Sequence, residues 1–332
     1  GLGAENGILI RKGKAVELLR ESDTIVLDKT GTITKGAPSV TDINVLGTDN
    51  DTLLRFAASA EQGSEHPIGE AIVNYANEQN IALESAAEFT AISGKGITAT
   101  VDGKKVVIGT KSLLGEQDIE VSEEAAEQLQ QLEEQATTTV LVAIEGQLKG
   151  LIAVADPIKE ESREAISALK AMGLEPVMVT GDNERTARAV AEQVGIQKVI
   201  AGVLPDQKSD EIKKLQQAGR KVIMVGDGIN DAPALTQSDV GIAIGTGTDV
   251  AIESGDIVLV KGELLSVVQA MKLSNATFDK IKQNLFWAFF YNVVMIPLAL
   301  FGMMHPLLAE AAMAFSSVSV VFNSRRLQKT DL

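Results

Sequence analysis

Asp28 ends a short apolar run, Thr-Ile-Val-Leu, and is followed by Lys29, Thr30, Gly31 and Thr32. The apolar run contains β-branched residues and predicts a buried strand. Ligand sites of parallel sheets form just beyond the carboxyl ends of the strands, and a glycine lets the chain turn sharply there. A carboxylate followed by hydroxyls, a lysine and turn amides is suited to attack a phosphoryl group and hold the product. The alternative is an ordinary solvated turn.

Three later segments place polar side chains after predicted strands or at a turn. These side chains are Thr180, Gly181 and Asp182 after 176–179, Lys208 in Leu-Pro-Asp-Gln-Lys, and Asp227, Asn230 and Asp231 after 221–225. A hydroxyl can donate to a phosphoryl oxygen, and a lysine can neutralise charge in the transition state. Carboxylates suit Mg²⁺, which prefers oxygen ligands. Each segment alone is a common surface feature, but together they predict a Mg²⁺-dependent phosphoryl-transfer site.

Length, charge and cysteine content bound the function classes. The chain has 332 residues, which is enough for about two domains. Its net charge of −15 argues against nucleic acid as a partner. It contains no cysteine, so disulfides and thiolate metal ligands are excluded within this chain. The first residues have neither a signal-peptide pattern nor an initiator methionine, and we interpret them as a cut through a longer protein.

Alternating strands and helices from residue 156 onward predict a doubly wound parallel α/β sheet, which the strand before Asp28 joins. This gives a discontinuous domain over 21–36 and 155–272. Residues 37–154 contain two predicted hairpins, with turns at Asp-Gly and Glu-Gly, and are interpreted as an inserted α+β domain. Residues 1–20 are interpreted as a membrane-proximal connector, and a plain surface helix is the alternative.

The C-terminal region has a different composition. Two apolar segments, 281–304 and 306–323, predict a helical hairpin long enough to cross a bilayer, although the second only just reaches the length. Lysines precede the hairpin and Arg325, Arg326 and Lys329 follow it, so both ends are predicted to be cytoplasmic. A hairpin buried in a soluble protein is the alternative.

The motifs Asp28-Lys-Thr-Gly-Thr, Thr180-Gly-Asp and Gly226-Asp-Gly-Ile-Asn-Asp resemble the signature set of P-type ATPases, within the haloacid dehalogenase-like fold. This resemblance covers the whole chain. It implies that ATP phosphorylates Asp28 and that Asp28, Asp227 and Asp231 hold Mg²⁺. It further implies that Thr180, Lys208 and Asn230 contact the phosphoryl group, within a catalytic set that also includes Lys29, Thr30, Gly181 and Asp182.

Thr30 helps to separate a pump from a phosphatase. Phosphatases of this fold usually carry a second aspartate two positions after the nucleophile, and threonine cannot shuttle a proton in that way. Without this base, an aspartyl phosphate should persist long enough to drive a conformational change. A membrane-tethered phosphatase and a non-enzymatic membrane adaptor remain the alternatives.

The inserted domain resembles the nucleotide site of heavy-metal P-type ATPases. The similar motifs are Ser64-Glu-His66-Pro and Gly94-Lys-Gly96. By this resemblance Glu61, His66, Gly94 and Gly96 bind ATP, so the domain is predicted to be nucleotide-binding. An imidazole can stack on a purine, and paired glycines let backbone approach a ligand closely. The family often has Gly-Asn where this chain has Gly109-Thr110. We therefore expect this chain to bind ATP with an altered affinity.

The hairpin resembles that of copper(I) exporters. The similar residues are Asn284, Tyr291, Asn292 and Pro297 in the first helix and Met313, Ser316 and Ser317 in the second. The resemblance implies a Cu(I) pathway at Tyr291, Asn292, Met313 and Ser317, because a soft thioether suits Cu(I) or Ag(I). Another heavy metal is the alternative cargo.

By the resemblance, this chain is the C-terminal half of an ATP-driven Cu(I) or Ag(I) exporter embedded in a bacterial plasma membrane, with its soluble domains in the cytoplasm. The Cys-Pro-Cys helix and the Thr-Gly-Glu actuator loop of the family are absent from these 332 residues. The expectation is therefore that the chain binds ATP and is phosphorylated at Asp28 but needs the missing N-terminal half for transport.

Overall fold

The computed structural model describes residues 2–227, 230–245, 253–301 and 306–329. The strands are β1 Ile8–Ile10, β2 Thr24–Asp28, β3 Ser39–Val45, β4 Ala86–Ile92, β5 Gly96–Val101, β6 Lys104–Gly109, β7 Thr138–Ile144, β8 Gln147–Ala155, β9 Glu175–Val179, β10 Lys198–Ile200, β11 Val222–Gly226, β12 Val240–Ile244 and β13 Ile257–Leu259. The helices are α1 Leu2–Glu5, α2 Gly13–Glu21, α3 Asn50–Glu61, α4 Pro67–Glu78, α5 Lys111–Glu116, α6 Glu123–Glu134, α7 Ser162–Ala171, α8 Glu184–Val194, α9 Lys208–Gln217, α10 Ala232–Gln237, α11 Leu265–Leu300 and α12 Pro306–Arg325.

The chain divides into two compact units, and the first consists of residues 1–25, 172–174 and 212–332. Its strand order is β1-β13-β12-β11. β11, β12 and β13 run parallel to one another, as the alternation of strands and helices predicts. β1 pairs with β13 in the antiparallel direction and forms the edge. The apolar residues of 8–10 therefore extend the sheet, a role that their pattern alone did not indicate.

The second unit consists of residues 26–171 and 175–211. It contains the strand order β2-β9-β10, with β9 and β10 parallel. It also contains a six-stranded sheet of order β3-β8-β7-β6-β5-β4, in which all neighbours are antiparallel. This second sheet lies in the segment that the sequence predicts as an insertion.

Successive side chains of a strand point to opposite faces of a sheet. Helices cover apolar side chains on each face of this antiparallel sheet. On one face Ile108 and Ile152 pack with the core of α3 and α4, which includes Phe56. On the other face Val107 and Leu151 pack with residues of α5 and α6. The inserted segment thus has two hydrophobic layers of its own.

The two predicted hairpins are confirmed. Asp102 and Gly103 join β5 to β6 with φ of 51° and 70°, and Glu145 and Gly146 join β7 to β8 with φ of 52° and 73°. Two successive positive φ values are typical of the type I′ turn, whose twist matches that of the strands.

Helix α11 has two contrasting halves. Its first part buries Val267, Val268 and Met271 and contacts α2, to which the Ser274 hydroxyl donates at the Val16 carbonyl. Its second part exposes large apolar side chains such as Phe286 and Phe289. Among the described residues, α11 alone is long and apolar enough to cross a membrane by length and composition. The predicted first span, 281–304, therefore begins in the middle of a longer helix, and its last residues lie outside the described ones.

Candidate active site

Asp28 and Lys208 form a buried ion pair. β2 is buried along its whole length, so the chain delivers Asp28 to the carboxyl end of the strand in a position 5% exposed. The Lys208 ammonium lies 2.7 Å from Asp28 Oδ1, and Lys208 is 7% exposed. A nearby opposite charge offsets the cost of burying a carboxylate, and Lys208 supplies one. The structure thus brings together two residues that are 180 positions apart in the sequence.

The loop after Asp28 is tightly braced. Residues 29–33 form a single wide turn in which Gly31 has φ of 73°, a conformation that costs least for glycine. The Lys159 ammonium donates to the Gly31 carbonyl at 2.7 Å, and the Ser162 hydroxyl donates to the Ile33 carbonyl at 2.7 Å. The Asp156 carboxylate accepts from the backbone N–H of Gly36 at 3.2 Å. The segment that returns from the inserted domain therefore holds the loop in place.

Lys29 is paired with Asp182. Its ammonium lies 2.5 Å from Asp182 Oδ2, and both side chains are largely buried. Asp182 belongs to the turn after β9, where its backbone N–H donates to the Thr180 hydroxyl at 3.1 Å. Thr180 itself is 3% exposed, whereas Gly181 is exposed. The turn with Thr180 and Asp182 therefore lies against residues 29–33, which we call the phosphorylation loop after the role predicted from the sequence.

The carboxylates of the third motif lie in the first compact unit. Asp231 is fully buried, and a Cβ on Gly226 would clash with its Oδ2 atom, so this position accepts only glycine. Asp227 is half-buried and Asn230 is exposed, whereas residues 228 and 229 lie outside the described part of the chain.

This donor set fits Mg²⁺ chemically, since it offers only oxygen ligands. Within the described residues, no three acidic or histidine side chains form a ready-made metal cluster. That finding is compatible with Mg²⁺, which is usually held by one or two carboxylates together with phosphate oxygens and water.

Glu61 is a buried acid at the end of α3. It is 6% exposed, and its carboxylate lies so close to Gly69 that a Cβ there would clash with Oε2. Burial raises the pKa of Glu61 to about 7, and a hydrogen bond with Ser64 opposes this rise. The negative end of the α3 dipole also disfavours the charged form. Glu61 therefore changes charge near neutral pH.

His66 caps helix α4, since its Nδ1 atom accepts from the backbone N–H of Ile68 at 3.2 Å. Desolvation lowers the pKa of His66 although part of the ring is exposed. The charge of Lys29 acts in the same direction and that of Asp182 opposes it. His66 therefore lies within electrostatic reach of the phosphorylation loop.

Gly96 lets strand β5 approach strand β6 closely at Gly109. Gly96 has φ of 140°, and a Cβ there would clash with the Ile108 carbonyl and lie 2.6 Å from Gly109 Cα. A Cβ on Gly94 would lie 3.2 Å from the Leu204 side chain. Thr110, the departure from the family pattern, caps α5 by accepting from the Leu113 N–H at 3.3 Å. Its hydroxyl proton stays available to a ligand.

The hairpin places its polar residues differently. The Asn284 amide donates to the Ser324 hydroxyl at 2.9 Å and its carbonyl accepts from Asn323 at 2.9 Å, so these groups join α11 to α12. Asn292 donates to the Ala288 carbonyl of its own helix at 2.7 Å. Tyr291 lines a cavity of about 250 Å³ next to Trp287. Ser317 is exposed on α12, and the Met313 side chain lies outside the described part of the chain.

Comparisons with known proteins show the family of this chain. A haloacid dehalogenase-like hydrolase family model matches residues 22–239. A solved catalytic domain of the CPx-ATPase CopB-B is 31% identical, with a TM-score of 0.62 over 81% of this chain and 96% of that one. A copper-exporting P-type ATPase from Staphylococcus aureus (strain MRSA252) is 50% identical over all 332 residues. The chain belongs to the P-type ATPases of the haloacid dehalogenase-like family.

A larger solved relative extends the comparison. The crystal structure of a zinc-transporting PIB-type ATPase in its E2.Pi state is 38% identical, with a TM-score of 0.75 over 98% of this chain and 53% of that one. The chain spans 41% of the length of the Staphylococcus aureus P-type ATPase. The family model and the structural matches confirm the predicted fold class.

Sequence reasoning missed several residues that shape this P-type ATPase site. Lys159 and Asp156 brace the phosphorylation loop, and Arg185 pairs with Glu133 at 3.0 Å. One local signal could have indicated the bracing residues. Asp156 and Pro157 directly follow the predicted insertion, where the chain must return to a position beside strand β2. The Arg185 pair has no such signal, since either residue alone is typical of a solvated helix face.

Proposed function

We propose that this chain binds ATP with Mg²⁺ and transfers the γ-phosphoryl group to Asp28. The observation that carries the proposal is the buried Asp28 carboxylate with Lys208 at 2.7 Å, at the carboxyl end of a central strand. A carboxylate oxygen would attack the γ-phosphorus, and the bond to the bridging oxygen would break, so that ADP leaves with the electron pair. Lys208 is suited to neutralise charge on the phosphoryl oxygens during transfer.

The other predicted residues have complementary roles in this proposal. Asp28, Asp227 and Asp231 would hold Mg²⁺, which would neutralise phosphate charge. Thr180 and Asn230 would donate to phosphoryl oxygens, and Glu61, His66, Gly94 and Gly96 would bind the nucleoside. Thr30 stands where phosphatases carry their general acid and base. The phosphoenzyme should therefore be long-lived, which favours a pump over a phosphatase.

Phosphorylation of the chain with radiolabelled ATP tests the proposal. Acid-stable, hydroxylamine-labile label is expected in the unmodified chain and in Asp210→Asn, which changes an exposed aspartate of α9. Asp28→Asn should reduce the label to background. Equal labelling of both variants would end the assignment of Asp28, and rapid turnover of a small phosphomonoester would favour a phosphatase instead.

We further propose that the whole protein exports Cu(I) or Ag(I) across a bacterial plasma membrane, with its soluble domains in the cytoplasm and the hairpin in the bilayer. The support is the 50% identity to a protein named copper-exporting and the polar residues Tyr291, Asn292 and Ser317 in an apolar hairpin. A zinc-transporting relative makes Zn²⁺ the competing cargo.

Metal-stimulated ATPase activity of the full-length protein separates these cargoes. Stimulation by Cu(I) or Ag(I), and its loss in Met313→Leu, is the expected result. Stimulation by Zn²⁺ alone would overturn the cargo assignment while leaving the phosphorylation of Asp28 intact.

A further inference from the structure

Three side-chain contacts join the inserted segment to the start of α8. Arg185 Nη1 lies 3.0 Å from Glu133 Oε2, and the Thr186 hydroxyl donates to the Thr137 carbonyl at 2.7 Å. The Thr138 hydroxyl faces Asp182 Oδ1 at 3.4 Å. We call this group of contacts the α6–α8 clasp. All of its members lie in the second compact unit.

Further hydrogen bonds surround the clasp. Thr186 is 1% exposed, and its backbone N–H donates to Asn183 Oδ1, the cap of α8, at 3.0 Å. The Thr137 hydroxyl donates to the Leu132 carbonyl at 2.7 Å, which holds the end of α6 against the beginning of β7. The Glu133 side chain is 11% exposed. The Arg185 side chain is 55% exposed, so solvent screens part of the attraction, and the buried Thr186 hydrogen bond is the better shielded contact of the clasp.

The position of the clasp gives it a consequence for the active site. α8 begins directly after the turn with Thr180 and Asp182, so the clasp attaches the inserted segment to that turn. His66 lies within electrostatic reach of Asp182, and a Cβ on Gly94 would lie 3.2 Å from the side chain of Leu204, which precedes the turn that leads to Lys208. The proposed nucleoside-binding residues are therefore held close to the phosphorylation loop.

We propose that Arg185 and Thr186 are positioning residues that close the inserted domain over the phosphorylation loop before ATP binds. This inference rests on the proposed function, in which the inserted domain binds the nucleoside of ATP and the phosphorylation loop receives its γ-phosphoryl group. A ligand that contacts both regions binds best to a closed arrangement, so the clasp lowers the conformational cost of ATP binding. A ligand that contacts only the inserted domain gains nothing from it.

The closure itself is tested without nucleotide. The chain has no cysteine, so Glu78→Cys on α4 and Glu192→Cys on α8 introduce the only two labelling sites, both exposed. Pulsed electron paramagnetic resonance of the spin-labelled full chain in detergent should give one narrow distance distribution. Arg185→Met with Thr186→Val should add longer distances, whereas Arg188→Met, an exposed neighbour on α8, should not. Identical distributions in all three proteins would overturn the clasp.

Ligand binding and phosphorylation test its role. In the Arg185→Met/Thr186→Val variant, the ATP concentration for half-maximal phosphoenzyme should rise about tenfold, as is typical of coupling between sites, while the plateau and the affinity for adenosine stay unchanged. Exchange of charges in Arg185→Glu/Glu133→Arg should restore most of the loss caused by Arg185→Glu alone. An equal fall in adenosine affinity and plateau would indicate a folding defect and contradict positioning. If the unmodified chain forms no phosphoenzyme, the proposed function fails, and the distance measurement still decides whether the clasp exists.

Discussion

The phosphorylation loop and the proposed nucleotide site each bury a carboxylate next to a strand or helix end, but the partners of the two carboxylates differ. Asp28 has a buried ammonium at 2.7 Å. Glu61 is equally buried, its described polar partner is the hydroxyl of Ser64, and its pKa is raised to about 7. In the proposed function Asp28 must be ionised when the phosphoryl group arrives, whereas Glu61, which is proposed to contact the nucleoside, has no such need. The two acids are equally buried and differ in their partners.

The largest effect should follow from removing the partner of Asp28. Lys208→Met leaves the buried carboxylate without its closest counter-charge and should lower the free energy of unfolding by about 3 kcal/mol. It should also slow phosphoenzyme formation by at least about 100-fold, because charge neutralisation in the transition state is lost. Urea unfolding and quenched-flow labelling measure the two effects.

Two controls sharpen this prediction. Lys198→Met breaks a pair with Glu175 that spans 3.0 Å but is about half exposed, so it should cost less than about 1 kcal/mol. Adding Asp28→Asn to Lys208→Met should restore stability but not phosphorylation, since no buried charge remains. If Lys208→Met and Lys198→Met had equal free energies of unfolding, the buried pair would contribute no more to stability than the exposed pair.

In the nucleotide site, backbone shape should matter more than charge. Gly96→Ala introduces a Cβ that clashes with the Ile108 carbonyl at a φ of 140°, and it should lower the free energy of unfolding by about 3 kcal/mol. Nucleotide affinity should fall with it. Gly103→Ala is the control, because its Cβ meets open space, and a positive φ alone costs about 1 kcal/mol. Similar losses in both variants, measured by urea unfolding, would assign the effect to φ and not to the close strand approach.

Local patterns predicted the parts of this structure that depend on near neighbours. The strand before Asp28, the two-residue turns at Asp102 and Glu145, and the helices of the α/β domain are all confirmed. The contacts that shape the site depend instead on distant partners. Lys159 and Gly31 are 128 positions apart, and Arg185 and Glu133 are 52 apart. No periodicity encodes such pairs, because each residue is chosen for a neighbour that only the tertiary fold supplies.

The pH dependence of stability should separate the two acids. Glu61 has its pKa raised from 4.5 to about 7, so the folded state favours its protonated form. Its stabilising contribution is complete below about pH 4.5 and is lost as the pH rises through 7. Between these limits the loss should be at most about 3 kcal/mol.

Glu61→Gln tests this expectation by removing the titration. Its free energy of unfolding should change less with pH across this range than that of the unmodified chain, and it should exceed the latter on the alkaline side. Glu70→Gln, an exposed residue of α4, is the matched control and should keep the original profile. Parallel profiles for all three proteins would show that Glu61 does not titrate in this range.

The smallest effect should come from Ser64, whose hydrogen bond opposes the rise in the pKa of Glu61. A hydroxyl that donates to an ionised carboxylate stabilises the charged form, so Ser64→Ala should raise the pKa of Glu61 further. The loss of stability should be about 1 kcal/mol on the alkaline side and smaller in acid, where the protonated carboxyl no longer needs a donor. NMR titration of the Glu61 carboxyl carbon measures the shift, and Ser39→Ala, an exposed serine of β3, should leave it unchanged. A fall in the pKa would mean that the Ser64 hydroxyl accepts a hydrogen bond from protonated Glu61. The hydrogen bond would then stabilise the neutral form of Glu61 and add to the effect of burial.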